Sequence, residues 1–377
     1  MKLLYILIAL AVLLLMVVIH EFGHYIAGKV LKFKINEFSI GFGPKIIQKK
    51  NKKTGELFSL RLIPLGGYCA FDGETDDDDC QENTEVFEDI DKKEVDTSLQ
   101  TTQENNELKK FNDQAPWKRI IVLVCGGLFN IISAVIFSFI FILIVGVNQP
   151  KISYVAVNEA GQTYNALMVG DVITAVNGKE ITIMTSFEDI KIGDTAVFTV
   201  RRNGKLIDVT LTKQDIMEQQ YVYNGNTETL TAYHGFGFVR ENTFSKVSLG
   251  YAAKYTLPFT GKMSVAVIKS LGMLVTGKVE ITQVTGPIGT IDTIANYTIL
   301  NWRNLFLLLP LIAANLGIFN LLPIPALDGS KVIFTLIEWI RGKPVNRKIE
   351  NMIHAVGMLL LFSLVILVDI IGLILRG

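Results

Sequence analysis

Leu3–Ile19, Ile120–Val147, Leu305–Leu322 and Ala355–Leu375 are runs of 17, 28, 18 and 21 residues whose only charged side chain is Asp369. A hydrocarbon core roughly 30 Å thick takes about 20 apolar helical residues to cross, so each run predicts a transmembrane helix. The first run could also open a signal peptide. It continues, however, into His20, Glu21 and His24 rather than into the small residues of a cleavage site, and reads as a retained span. The third run contains Pro310 and Asn315 and ends at Pro323 and Pro325.

Four spans put both termini on one side. The first connection carries Lys29, Lys32, Lys34, Lys45, Lys49, Lys50, Lys52 and Lys53 and closes on Lys118 and Arg119, and the short third one holds Lys331, Arg341, Lys343, Arg347 and Lys348. The excess of basic residues places these two connections in the cytoplasm and both termini outside it.

Between the spans the pattern changes. Within 29–71, Phe38–Phe71 alternates apolar and polar residues around Gly41, Gly43, Gly55, Gly66 and Gly67, which predicts a membrane-associated β-hairpin region. Residues 72–115 contain Asp76–Asp79 with further Glu, Gln, Asn and Thr, too polar to bury a core, and read as a disordered acidic insert. Residues 149–241 carry short β-rich segments of soluble character. The stretch Gly170–Ile181 there, GDVITAVNGKEI, resembles the strand-turn-strand of PDZ domains, which bind extended peptides by strand addition. A β domain acting as spacer or size filter fits the same pattern. Residues 242–302 intersperse apolar stretches with lysines and read as an amphipathic segment on the membrane surface. The division is therefore 1–28, 116–148, 303–330 and 352–376 for the spans, with 331–351 a cytoplasmic loop. The fold class is a multi-span α-helical membrane protein with four transmembrane helices, the hairpin region and one extracytoplasmic PDZ-like domain.

Composition agrees with this reading: half of the 377 residues are hydrophobic, and 36 Lys+Arg balance 36 Asp+Glu. Zero net charge gives no electrostatic case for nucleic acid as a partner. The three cysteines have neither the count nor the spacing of a disulfide framework or a zinc knuckle.

The candidate chemistry begins with His20-Glu21-Phe22-Gly23-His24. Spacing of four puts both imidazoles on one helical face, and the acid beside the first can polarise a metal-held water. An acid and two histidines directly after an apolar span are costly there unless paired or functional. Catalytic zinc takes three protein ligands and an open fourth position, so a third ligand is needed. His234 falls in the outer domain, and Asp369 near the outer end of the fourth span reads as an interfacial carboxylate. His354 opens the fourth span and could reach the site. Asp328 is better placed, because it follows the helix broken at Pro323 and Pro325 and broken helices line internal cavities.

HEFGH, GGYCAFDGE (66–74), GGLFN (126–130), the PDZ-like domain, TGPIG (285–289) and NLLPIPALDG (320–329) occur in this order along the chain. Together they resemble the site-2 protease family of intramembrane zinc metalloproteases, in the bacterial branch typified by the regulator of sigma-E protease. The resemblance implies that His20, His24 and Asp328 bind Zn2+ and that Glu21 is the general base. It implies further that Asn320, Pro323 and Pro325 hold the substrate strand, and that the region of Gly66 and Gly67 offers it a strand edge. The substrates it implies are transmembrane proteins, such as cleaved anti-sigma factors or remnant signal peptides, met in the lipid bilayer of the bacterial cytoplasmic membrane. Ser330 stands where relatives often have a second glycine, there is one PDZ-like domain where some have two, and the acidic insert has no recognised counterpart. A non-catalytic adaptor would be expected to lose Glu21 or Asp328, and both are present. A transporter reading lacks a visible inverted repeat.

Overall fold

A computed structural model describes residues 2–74, 108–278 and 286–376, so most of the acidic stretch, 75–107, lies outside the described residues. The chain forms helix α1 (Lys2–Val30), strands β1 (Ile35–Lys50) and β2 (Leu57–Phe71), and helix α2 (Pro116–Val145). Strands β3–β12 follow within Val147–Ser245, and then helices α3 (Leu249–Val275), α4 (Pro287–Leu300), α5 (Arg303–Asn320), α6 (Asp328–Arg341) and α7 (Arg347–Arg376). Two compact units result, one made of residues 1–136 with 263–377 and the other of 137–262. Among the described residues, α1, α2, α5 and α7 are long and apolar enough to cross a membrane.

In the first unit the hairpin is folded back on itself. Ile35–Ile40 lies between Leu57–Leu60 on one side and Gly67–Phe71 on the other, while Lys45–Lys50 runs beside Leu57–Arg61. Arg61 holds the bend by donating to Glu37, to the Tyr68 hydroxyl, to Ser39 Oγ and to the Gly43 carbonyl. Ile46, Ile47, Leu60 and Leu62 remain exposed on the hairpin. The flanks of the acidic stretch are packed rather than loose. Phe111 is buried with its ring 5.4 Å from Phe33 and 5.5 Å from Phe71, and Asp72 pairs with Lys34 at 2.6 Å. One apolar anchor at the end of a polar run is enough to fix it, which composition averaged over 72–115 conceals.

Two further departures concern the last third of the chain. The expected cytoplasmic loop 331–351 is largely helix, because α6 continues to Arg341, where Gly342 ends it in the left-handed conformation. Its Glu338 receives the buried Arg119 at 2.6 Å, so what reads as loop charge is an internal ion pair between α6 and α2. Asp369 is also not merely interfacial: its carboxylate accepts the N–H groups of Ile288 and Gly289 at 3.2 and 3.1 Å. A side chain of α7 thus caps the first turn of α4, satisfying donors that helix geometry leaves unpaired.

In the second unit β12 (Phe238–Ser245), β3 (Val147–Val155), β4 (Val172–Val176), β6 (Thr195–Arg202) and β7 (Lys205–Thr212) are neighbours in that order, and β5 (Lys179–Glu180) pairs with β4. All of these pairings are antiparallel. β8 (Gln214–Ile216) pairs with β11 (Tyr233–Gly235), and β9 (Gln219–Tyr223) with β10 (Asn226–Leu230). Alternation along β6 sends Ala196, Phe198 and Val200 inward, onto a core with Ile152, Ile173 and Val176. Asp171, at the start of β4, is bound by Arg202 at 2.6 and 2.8 Å. Burial pushes the Asp171 carboxyl up, but Arg202 and the Met168 N–H outweigh burial and hold it below the usual carboxylate range.

Two outcomes follow from these contacts. Asp369→Leu should lower the unfolding free energy of the detergent-purified chain by about 1–2 kcal/mol, while Asp369→Asn, which keeps an acceptor, should lose less than half of that. Asp171→Ala should destabilise residues 147–245 by roughly 2–3 kcal/mol at pH 7, measured by amide exchange. Because the folded-state value is depressed, this contribution is present above a pH of about 4 and is lost as pH falls through the folded value, so the variant's stability should vary less with pH there.

Candidate metal centre

α1 carries His20 and His24 on the face that also buries Ala9, Val12 and Met16, as 3.6-residue periodicity requires. α6 begins at Asp328 and sends its carboxylate to the same point. His20 Nε2 and His24 Nε2 stand 3.3 Å apart, and Asp328 Oδ2 lies 3.0 and 3.2 Å from them. Donors placed tetrahedrally at about 2.0–2.1 Å from one ion are separated by about 3.3–3.4 Å, so the triangle has nearly the edge lengths of a zinc ligand shell. Asp328 Oδ2 is buried and has no hydrogen-bond donor directed at it, which fits an atom aimed at a cation. Two imidazole nitrogens and one carboxylate oxygen are a donor set that zinc accepts while keeping a fourth position open. Among the described residues these three form the group able to hold a metal.

Around them, His24 Nδ1 faces the Val122 carbonyl at 2.9 Å, which puts the ring proton on Nδ1 and leaves Nε2 free to ligate. His20 Nδ1 has the side-chain amides of Asn130 and Asn320 each at 3.4 Å. A His20 ligating through Nε2 carries its proton on Nδ1, so an amide oxygen faces the ring; oxygen and nitrogen of Asn are interchanged by a simple flip. Asn320, expected to hold the substrate strand, stands here against His20, and Asn130, to which the sequence assigned no role, is fully buried in α2. The signal was available, since an amide inside an apolar span needs a partner.

Glycines let the helices close on this point. A Cβ at Gly126 would stand 2.3 Å from His24 Nε2 and 2.7 Å from His20 Cε1, inside the space where the ligands converge. Gly23 abuts the Cys125 carbonyl, and Gly127 the Gly317 carbonyl, with a Cβ at 2.4 and 2.9 Å respectively. Gly126 was visible in sequence only as part of GGLFN; what it touches is a fact of helix packing.

Beside the triangle is a cavity of about 340 Å³ lined by Glu21, His24, Asp328, Tyr68, Cys69 and Lys331, among others. The Glu21 carboxylate faces the Cys69 backbone N–H. Gly67 packs against the Glu21 side chain, where its Cβ would come 3.4 Å from Glu21 Cγ. The segment 67–71 has Ile35–Ile40 as its partner on one side, and its residues 68–71 line the cavity. Lys331, one turn beyond Asp328, pairs with Glu74 at 2.7 Å on the cavity wall. Gly66 sits apart at the bend, with φ of +123° and its Cα over the Phe42 ring. Pro323 and Pro325 lie in the turn that joins α5 to α6, Pro325 packed against Gly357. His354 is not in the ligand group, its Nδ1 facing the Ala326 N–H at 3.2 Å. His234 is an exposed partner of Asp215.

Apolar helices enclosing a His–His–Asp group, with an acid beside it and a cavity in front, have the form of a membrane metallopeptidase. The profile of peptidase family M50 matches residues 8–364. The chain is 28% identical to a protein of Fusobacterium nucleatum named "Putative zinc metalloprotease", over 97% of each chain. It is 27% identical to the regulator of sigma-W protease RasP of Bacillus subtilis and 26% identical to the zinc metalloprotease RasP of Bacillus licheniformis, over 94% of each chain in both cases. The chain belongs to peptidase family M50, the zinc-dependent site-2 proteases, and is a metalloprotease of the membrane.

Gly126→Ala should remove most of the bound metal from the purified protein, because its methyl group takes the position in which the imidazole nitrogens meet. Metal analysis of the detergent-solubilised variant checks this, and retention of wild-type metal content would contradict it.

Proposed function

We propose that this protein is an intramembrane zinc endopeptidase that hydrolyses peptide bonds within transmembrane segments. The observation that carries this reading is the convergence of His20, His24 and Asp328, with ligand atoms 3.0–3.3 Å apart, beside Glu21 and within helices able to cross a membrane. His20, His24 and Asp328 would hold the zinc ion through Nε2, Nε2 and Oδ2. A zinc ion held there would supply Lewis acidity to the scissile carbonyl and to the attacking water. Glu21 takes the proton of the attacking water and delivers it to the leaving amide nitrogen, the ordinary work of a general base that then acts as acid. Glu21 is half-buried and lines the cavity beside the two imidazoles, where a water can reach it.

A helical substrate hides its carbonyls in its own hydrogen bonds, so cleavage requires local unwinding. The edge of 67–71, whose residues 68–71 line the cavity, offers backbone groups to a substrate drawn out as a strand, and Gly66 shapes the bend that leads into it. Asn320, Pro323 and Pro325 would hold the other side of this strand, a role in keeping with the place of Asn320 beside His20. The substrates are membrane-anchored remnants, anti-sigma factors or signal peptides, left by an earlier cleavage; a relative named as a regulator of sigma-W protease supports this class. The sheet of 147–245 serves as a PDZ-like extracytoplasmic domain that meets these remnants. α3, with Leu257, Val265 and Ile268 exposed, lies along the membrane surface, and both termini are extracytoplasmic.

Zinc content and cleavage of a synthetic transmembrane peptide, measured together on the full chain in detergent, test the proposal. The wild type should carry one zinc per chain and cleave, with cleavage abolished by a chelator. Glu21→Gln should keep the zinc and lose about 10²–10⁴-fold in rate, the usual share of one proton-transfer group. Asp328→Ala should lose zinc, since two histidines make a poor site. Sustained turnover by Glu21→Gln, or full zinc content in Asp328→Ala, would remove these residues from their roles.

A further inference from the structure

The metal centre depends on a turn whose geometry is unusual. Between α5 and α6, Leu321–Leu327 is tied by local backbone bonds, from the Ile324 N–H to the Leu322 carbonyl at 2.7 Å and from the Leu327 N–H to the Ile324 carbonyl at 3.1 Å. Within it Ala326 has φ of +79°, the left-handed region that a residue with a Cβ disfavours. Two residues later comes Asp328, whose carboxylate must meet both imidazoles. The conformation of Ala326 therefore sets where the third ligand points.

What holds Ala326 is His354 of α7. Its Nδ1 accepts the Ala326 N–H at 3.2 Å and has Ser330 Oγ at 3.5 Å, so the turn and the first turn of α6 meet on one ring nitrogen. Acceptance at Nδ1 puts the neutral ring's proton on Nε2, which is buried without a partner. The ring is seated against Phe334, centroids 5.6 Å apart, and one turn along α7 Gly357 closes on Pro325, where a Cβ would come within 2.2 Å. The fourth span thus clasps the turn at Pro325 and Ala326 while contributing no ligand.

We infer that His354 is a positioning residue for the metal centre: by accepting the Ala326 N–H it stabilises the left-handed turn that aims Asp328 at His20 and His24. The inference rests on these three residues being the zinc ligands. It gives a role to a histidine that by sequence alone competes with Asp328 for the place of third ligand. The loop strain and the hydrogen bond meet at one residue, and strain of this kind persists where its surroundings enforce it.

The test is the zinc dissociation constant of the full chain in detergent, by competition with a chelator, for the wild type, His354→Leu, His354→Asn, Ala326→Gly and the Ala326→Gly/His354→Leu pair. His354→Leu should raise the constant about 10–100-fold, the usual cost of losing a group that orients a ligand, while His354→Asn, whose Oδ1 can stand where Nδ1 stands, should stay within about threefold of wild type. Ala326→Gly should restore most of the affinity lost in His354→Leu, because glycine keeps a positive φ unaided. General loss of packing would not be repaired by that glycine. An unchanged constant in His354→Leu overturns the inference, as does a loss that neither asparagine nor the glycine reduces. Should His354→Leu fail to yield folded protein, recovery of a folded, zinc-binding pair variant supports the inference, and failure of the pair as well overturns it. A wild type that binds no zinc would instead overturn the assignment of the ligands, whereas a wild type with zinc and an indifferent His354 leaves that assignment standing.

Discussion

Two imidazoles and a carboxylate within 3.3 Å of one another, inside helices otherwise built of Leu, Ile, Val and Phe, are stable only if each polar atom is answered by another or by a cation. Much else in the membrane unit serves that demand. α2 gives up side chains at Gly126 and Gly127 so that α1 and α5 can approach, and presents the Val122 carbonyl and the Asn130 amide to the outward nitrogens of the two histidines. α5 adds Asn320 from the other side. The three candidate ligands come from α1 and α6, but their surroundings draw on α2, α5 and α7 as well.

The same logic governs the other buried charges. Arg119 and Glu338 join α2 to α6, Lys331 and Glu74 join α6 to the segment after the hairpin, and Asp369 caps α4 from within α7. Arg119 is fully buried, and each of these contacts joins segments far apart in sequence. α6 is a node in this network: its first residue meets the two imidazoles, its fourth lines the cavity beside them, and its eleventh holds the buried guanidinium. Moving it would disturb the site and the helix contacts together.

Much was legible from the chain alone. The four apolar runs coincide with the four helices long enough to span, because hydrophobic length is a local property. HExxH announced itself because helical periodicity makes i and i+4 neighbours without help from the fold. Alternation around glycines exposed the hairpin. The loop 331–351 was misread because a short amphipathic helix bounded by lysines and arginines has no long apolar run to mark it. Phe111 was lost in the average of an acidic stretch, although one aromatic ring was enough to anchor its end.

Composition and spacing by themselves determined that this chain spans a membrane, that two histidines and an acid share one helical face, and that a metal is the natural reason for their presence there. They could only rank Asp328 above His354 as the third ligand, since the two lie 26 residues apart in sequence and both adjoin the apolar runs near the same end. Tertiary structure brings Asp328, and not His354, up to the two imidazoles. The turn at Ala326 rotates Asp328 toward the imidazoles, and His354 meets the backbone of that same turn. Sequence can state which side chains suit a metal, but only the closing of separate helices fixes which atoms arrive within 3.3 Å of one another.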